Sequence, residues 1–306
     1  MTILVADVGG TNCRFALGDK GGGPRALMRL ANDGHDRFES ALGAYLAAQG
    51  DDLAVSAACF AVAGPVSHGR AELTNRGWQF DAAALSARLG APVTLINDLA
   101  ALGHALPGLG PSASRAVWTP PPAIANPNGQ RLVLGLGTGV NASLVATGRA
   151  ALVVLEAEAG HQSLPSSVVQ VLVDRLGTLP PAFFSTEELF AGRGLARLHG
   201  ALHGTALEGA AIIAAHHAGD ARAAATLELF ARAMGAWAQD VALQYLPRDG
   251  LFLAGSVARG VIEAGFGAAF VEAFTGPHRF PDLVQSVPVQ LLTDDMAALA
   301  GCLAAA

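Results

Sequence analysis

The apolar residues of the chain fall into short blocks whose spacing switches between strand-like and helix-like. Thr2 to Val8 is a β-rich run that stops at Gly9-Gly10, and Cys13 to Asp19 is a second such run. The chain is therefore expected to open as strand, tight glycine turn, strand. A third strand is expected near Ala26 to Leu30, after the loop Gly21-Gly22-Gly23-Pro24. Arg37 to Gln49 then carries Phe38, Leu42, Tyr45 and Leu46 at helical spacing. Ala54 to Ala63 is almost continuously apolar, as expected of a buried central strand. Pro92 to Ile96 reads as another short strand, and Asn97-Asp98 marks its change into an Ala-rich helix from Leu99 to Leu106.

The second half echoes this opening. Trp118 to Gln130 holds Pro120-Pro121-Pro122 and Asn126-Pro127-Asn128-Gly129, which excludes regular structure and is the clearest internal boundary signal. Arg131 to Leu136, Gly137-Thr138-Gly139 and Val140 to Ala146 follow as strand, turn and strand. Beyond Ser166 the spacing is helical, and Phe230, Met234, Trp237, Val241 and Tyr245 mark the core face of a long helix from about Asp220. Leu251 to Ala254 is a strand ending at Gly255, Val289 to Leu292 another, and Asp295 to Ala305 a closing helix. Strands alternating with helices predict an α/β fold. The expected division is a small α/β domain of residues 1–110 plus 294–306 and a larger one of residues 111–293.

Composition narrows the class. The 306 residues are 52% apolar and only 14% charged, which suits a globular chain able to bury a sizeable core. Net charge is −6 and the basic residues are scattered, so no stripe is present to meet a nucleic acid or an anionic membrane. The N-terminus lacks a basic segment before its apolar run, which argues against a signal peptide or an anchor. Stretches such as Leu53 to Gly64 fall short of the roughly 20 apolar residues a membrane span requires. Cys13, Cys59 and Cys302 have no paired or metal-type spacing and are expected as buried apolar residues of a cytoplasmic protein.

Candidate chemistry lies at the glycine turns. Asp7-Val8-Gly9-Gly10-Thr11-Asn12 sets a carboxylate at a strand end and then residues whose backbone N–H groups can approach an anion. Thr11 and Asn12 add side-chain donors, and Asp7 is placed to hold Mg²⁺ directly or through water. A plain hairpin turn also satisfies this pattern. Gly135-Leu136-Gly137-Thr138-Gly139 repeats it, and two such loops suit the clamping of a triphosphate such as ATP. Lys20 is the only lysine and is followed by Gly21, so the chain has no Walker A site. The Gly137-x-Gly139 pair lacks the third glycine of a dinucleotide fingerprint.

Further motifs carry a resemblance. The opening run through Arg14-Phe15-Ala16-Leu17 is followed by Ala61-Val62-Ala63-Gly64-Pro65-Val66, Leu73-Thr74-Asn75 with Trp78, and Ile96-Asn97-Asp98-Leu99. Glu158-Ala159-Gly160-His161, Ser185-Thr186-Glu187, Gly192-Arg193-Gly194-Leu195 and Ala254-Gly255-Ser256 complete the series. In this order they resemble the signatures of the bacterial glucokinase family along essentially the whole chain. The resemblance implies a two-domain actin-like ATPase (ribonuclease H-like) fold with the active site in the interdomain cleft. It also implies ATP and Mg²⁺ as cofactors and glucose or a closely related hexose as substrate. Asn97, Glu158, His161 and Glu187 are then expected to hydrogen-bond the sugar, while Asp98 accepts the proton of the hydroxyl phosphorylated. Asp7, Gly9, Gly10, Thr11, Asn12, Gly137, Thr138, Gly139, Gly255 and Ser256 are expected on the nucleotide. A homodimer is implied as well.

Each position also has a structural reading: Asp98 as a helix cap, Glu187 as a first-turn acid, His161 as a core histidine. His216-His217 are expected on a solvated helix surface. Three departures from the family stand out. Val140-Asn141 follows Gly139 where further glycine is common, Ala157 and Ala159 flank Glu158 and are expected to narrow its pocket, and Ser256 replaces a glycine. A kinase of another hexose or an amino sugar, a sugar-sensing protein and an actin-like filament former are the rival readings.

Overall fold

The structure, a computed structural model, describes residues 1–50, 52–74, 76–148 and 151–306, so Asn75 of the third motif lies outside the described residues. The chain divides into two compact units, Met1–Gly110 with Asp294–Ala306, and Pro111–Thr293.

In the first unit, β1 (Ile3–Val8), β2 (Asn12–Gly18), β3 (Arg25–Ala31), β4 (Ala57–Val62) and β8 (Val93–Asn97) form one sheet in the order β3-β2-β1-β4-β8. β1 and β2 are an antiparallel hairpin, whereas β1, β4 and β8 run parallel. Side chains alternate across a strand, so Leu4, Ala6 and Val8 enter one core and Ile3 and Val5 the other. The first core holds an aromatic group in which Phe38 lies 5.8 Å from Phe15, 5.1 Å from Phe60 and 4.8 Å from Phe80, centroid to centroid. The second is closed by the helix Ala297–Ala305, through Leu299, Cys302 and Leu303. All three cysteines are buried and free. A small sheet of β5 (Val66–Ser67), β6 (Arg70–Glu72) and β7 (Gln79–Asp81) was not legible as strands, because its strands are too short to show a period.

The second unit is built on a six-stranded sheet of β9 (Ser114–Trp118), β10 (Gln130–Leu136), β11 (Val140–Thr147), β12 (Leu152–Glu156), β13 (Leu251–Ala254) and β14 (Val289–Leu292), in the order β12-β11-β10-β13-β14-β9. β10 and β11 form an antiparallel hairpin and β10 runs parallel to β13, so the second unit reuses the opening arrangement of the first. Its core centres on the helix Ala221–Tyr245, whose start is capped by Asp220 accepting from the Arg222 and Ala223 N–H groups at 2.7 and 3.4 Å. Phe230, Met234, Trp237 and Val241 of that helix are buried as the spacing predicts.

Two readings of the sequence are corrected. The proline-rich stretch is not the boundary: β9 ends at Trp118, and the loop after it lies within the second unit, pinned where the Asn128 and Gly129 N–H groups donate to Asp249 Oδ2 at 2.8 and 2.6 Å. Proline disrupts regular structure without requiring that few contacts cross it. His216 is half-buried, with Nε2 at 3.1 Å from the Ala264 carbonyl and its ring 4.9 Å from that of Phe266, whereas His217 is exposed.

The helices Asp98–Ala105 and Ala297–Ala305 cross at Gly301 with backbone against backbone. A Cβ there would lie 1.7 Å from the Ala101 carbonyl oxygen. Gly301→Ala is expected to lower unfolding free energy by about 3 kcal/mol or more in urea titrations, because a backbone atom cannot rotate away. Gly34→Ala, which has open space around it, is expected to stay within about 0.5 kcal/mol.

Candidate active site

Parallel pairing sets the candidate groups of the first unit along one edge. Asp7 pairs with Ala61, and Ala61 with Ile96; one step further Val8, Val62 and Asn97 are aligned. The glycine turn, the Ala63-Gly64 segment and Asp98 thus all leave the sheet at the carboxyl ends of adjacent parallel strands. Asp7 and Asn97 are two strand spacings apart, about 10 Å. In open α/β sheets, this edge is where ligands bind.

The opening turn is held from below. The Gly9 N–H donates to the Asn12 carbonyl at 3.0 Å, and the buried Asn32 donates from Nδ2 to the Gly9 carbonyl at 2.8 Å while its own N–H reaches the Thr11 carbonyl at 2.9 Å. Gly9 and Gly10 are half-buried and Thr11 is exposed at the tip. Asp7 is cross-strand partner to Arg14, whose Nη2 lies 2.7 Å from Asp7 Oδ2. Burial pushes the Asp7 carboxyl up, and the charge and hydrogen bond of Arg14 pull it back only in part, so it stays above the usual carboxylate range. Arg14 is itself anchored by donating to the Asp295 carbonyl at 2.7 Å. Arg14 belongs to a motif but had been given no role, and Asn32 belongs to none; the alternation that places Arg14 opposite Asp7 was the available signal for the first.

Asn97 and Asp98 divide their duties. Asn97 is the helix cap: its Oδ1 accepts the Leu99 N–H at 2.9 Å, and its Nδ2 donates to the Gly64 carbonyl at 3.1 Å. Asp98 is the first helical residue, and its Oδ1 shares the same Leu99 N–H at 2.9 Å. The capping role that competed for Asp98 is thus filled by its neighbour.

In the second unit, Gly137-Thr138-Gly139 is the turn of the β10–β11 hairpin, with Thr138 and Gly139 exposed. Gly255 follows β13 with φ of 92°, and a Cβ there would lie 2.3 Å from the Leu136 carbonyl oxygen, so only glycine lets the chain turn beside that strand. Ser256 then begins the helix Ser256–Val261 and is exposed. A Cβ on Gly137 would lie 3.8 Å from Ser256 Oγ, so these two turns are neighbours.

Glu187 lies in the first turn of the helix Thr186–Phe190, capped by Ser185. Its carboxylate also reaches out of that helix: Oε2 accepts the Val140 N–H at 2.9 Å and Oε1 accepts from Arg193 at 2.5 Å. Burial alone would raise this carboxyl, but the Val140 N–H, Arg193 and the nearby His161 together hold it below the usual range. Glu158 and His161 are solvent-facing, with side chains 57% and 73% exposed and His161 Nε2 at 4.0 Å from Glu158 Oε2. A core histidine is excluded by that exposure. Asn141 turns away from the Gly137–Gly139 turn; its Oδ1 accepts the Ala159 N–H at 3.0 Å and so supports the Glu158 segment. Of the two alanines flanking Glu158, Ala159 is buried in the core and Ala157 is half-buried.

The fold is that of a known family. The profile of one family, Glucokinase, matches residues 4–306. A glucokinase of Nitrobacter hamburgensis is 31% identical over 310 residues, covering 97% of this chain and 95% of that protein. Among solved structures, the glucokinase from an Antarctic psychrotroph superposes with a TM-score of 0.83 at 29% identity, over 99% of this chain and 98% of that one. A ROK family glucokinase from Streptomyces griseus, solved with glucose and AMPPNP, shares the fold with a TM-score of 0.65 at 21% identity, over 100% and 98% of the two chains. The chain belongs to the glucokinase family and is a kinase on the actin-like ATPase fold.

Proposed function

We propose that this chain transfers the γ-phosphate of ATP to the 6-hydroxyl of glucose, with Asp98 as general base. The observation that carries the reading is the register of β1, β4 and β8, which brings the Asp7 glycine turn and the Asn97-Asp98 junction to one sheet edge. One loop of bare backbone and one helix-end carboxylate about 10 Å apart suit the two ends of a phosphoryl transfer.

Each group has a role in it. Asp98 takes the proton of the 6-hydroxyl as that oxygen bonds to the γ-phosphorus, and the bond to the β-phosphate oxygen breaks to release ADP. Asn97, Glu158, His161 and Glu187 accept or donate hydrogen bonds to the other hydroxyls. Ionised Glu187 offers about four acceptor sites, and those not taken by Val140 and Arg193 suit sugar hydroxyls. The turns Gly9-Gly10-Thr11-Asn12 and Gly137-Thr138-Gly139 meet the phosphates through N–H groups other than those of Gly9 and Gly137, which donate to the Asn12 and Gly139 carbonyls; Gly255 and Ser256 lie toward the nucleoside.

Mg²⁺ fits this donor set. Asp7 is a largely buried carboxylate whose burial penalty Arg14 offsets only in part, and Mg²⁺ is usually bound by one or two carboxylates together with substrate phosphates and water. Bound there, the ion would neutralise charge on the phosphates. Asp7 would hold it directly or through water, and Arg14 would keep the carboxylate oriented. Among the described residues no helix is long and apolar enough to cross a membrane; a cytoplasmic site of action and a homodimer belong to the proposal.

Asp98→Ala is expected to lower turnover in a coupled ADP-release assay by about 10²–10⁴-fold, while calorimetry still records glucose binding. Unchanged turnover would refute the assignment. Asp7→Asn is expected to abolish turnover without lowering the melting temperature at pH 7. The sign follows from the raised Asp7 carboxyl: its stabilising protonated form is fully present below the unfolded value and lost as pH rises through the folded one, so at neutral pH the ionised group is a cost the amide removes. A clear fall in melting temperature would contradict that electrostatic account.

A further inference from the structure

One guanidinium joins the second glycine turn to Glu187. Arg193, second residue of the helix Gly192–His203, donates from Nη2 to Glu187 Oε1 at 2.5 Å and from Nη1 to the Thr138 carbonyl at 3.4 Å. It also reaches Glu188 Oε1 from Nη2 at 2.8 Å and from Nε at 3.2 Å, and Glu188 is held in turn by Arg197. Two more bonds close the ring: the Val140 N–H to Glu187 Oε2 at 2.9 Å, and the Gly192 N–H to the Gly137 carbonyl at 2.9 Å.

We infer that Arg193 is a positioning residue that couples hexose binding to phosphate binding, because its planar fork grips the sugar-side carboxylate and the phosphate-side turn together. This rests on the reading above, in which Glu187 holds the hexose and residues 137–139 the phosphates. A hydroxyl donating to Glu187 competes for the negative charge that Arg193 balances, and a phosphate drawing on the turn moves the Thr138 carbonyl that the same side chain holds. Glu188, only 15% exposed, restrains the guanidinium, so a displacement at one end is passed on instead of being absorbed by rotation. Lysine cannot substitute, since a single ammonium lacks the fixed spacing of the guanidinium donors. Coupling of this kind is reciprocal: each ligand tightens the other by the same factor.

The test is calorimetric titration of glucose, alone and with a saturating non-hydrolysable ATP analogue and Mg²⁺, and then in the opposite order. The native protein is expected to bind each ligand about 5-fold or more tightly when the other is present. In Arg193→Gln and Arg193→Lys that ratio is expected to fall toward 1 in both orders, with each ligand still binding alone and the melting temperature near native. Arg197→Gln, which removes a partner of Glu188 only, is expected to keep the native ratio and serves as the control for a merely structural effect. A native protein that binds both ligands without mutual effect overturns the inference alone, as does an unchanged ratio in both Arg193 variants or an equal loss in Arg197→Gln. A native protein that binds neither ligand overturns the proposed function and this inference together.

Discussion

The parallel pairing of β1, β4 and β8 is the constraint on which the first unit depends. Because the ladder aligns Val8, Val62 and Asn97, each chain segment leaving those strands emerges at the same edge, whatever its own sequence. The sheet is covered on both faces, by the Phe15, Phe38 and Phe60 group on one side and by Leu299 and Cys302 on the other. A slip of one residue would exchange the two faces of a strand, turning Asp7 into the aromatic core and Ala6 toward Arg14. The cost of burying that carboxylate without its partner keeps the register in place, and so packing and site geometry enforce each other.

Two carboxylates, one in each unit, show how differently charge is accommodated. At Asp7 burial outweighs the single arginine and the carboxyl is raised; at Glu187 a backbone N–H, an arginine and a histidine outweigh burial and it is lowered. Glu187 therefore contributes stability that is present above its unfolded value and lost as pH falls through its folded one, whereas ionised Asp7 opposes folding at neutral pH. A group kept at the expense of stability is what the proposed role at a cation requires of Asp7. The charge of Glu187 instead serves as a fixed acceptor, and the arginine that fixes it also touches the turn beside it.

The hairpins, the buried central strand, the strand-to-helix change at Asn97-Asp98 and the long helix with its core stripe were legible because each is a run long enough to show a period or ends at a glycine or a cap. The short strands β5 to β7 were not, since two or three residues carry no period, and the proline cluster misled because a loop break is not a domain break. Asn141, a departure from the family beside the second glycine turn, closes the Glu158 segment with its carboxamide through the Ala159 N–H; only a contact 18 residues along the chain reveals that. Asn32 was passed over for the same reason, as it supports the Gly9 turn from 23 residues away.

By itself, then, the amino-acid sequence determined the α/β class, the two glycine turns, the family and the residue types available for chemistry, because these depend on local spacing and on motifs that survive as strings. Tertiary structure alone decided which partner each of those residues has: Arg14 for Asp7, Asn97 in place of Asp98 as the helix cap, Arg193 and Val140 for Glu187. Those choices depend on strand register and on backbone groups brought together from distant segments, and neither is written in the spacing of any one stretch of chain.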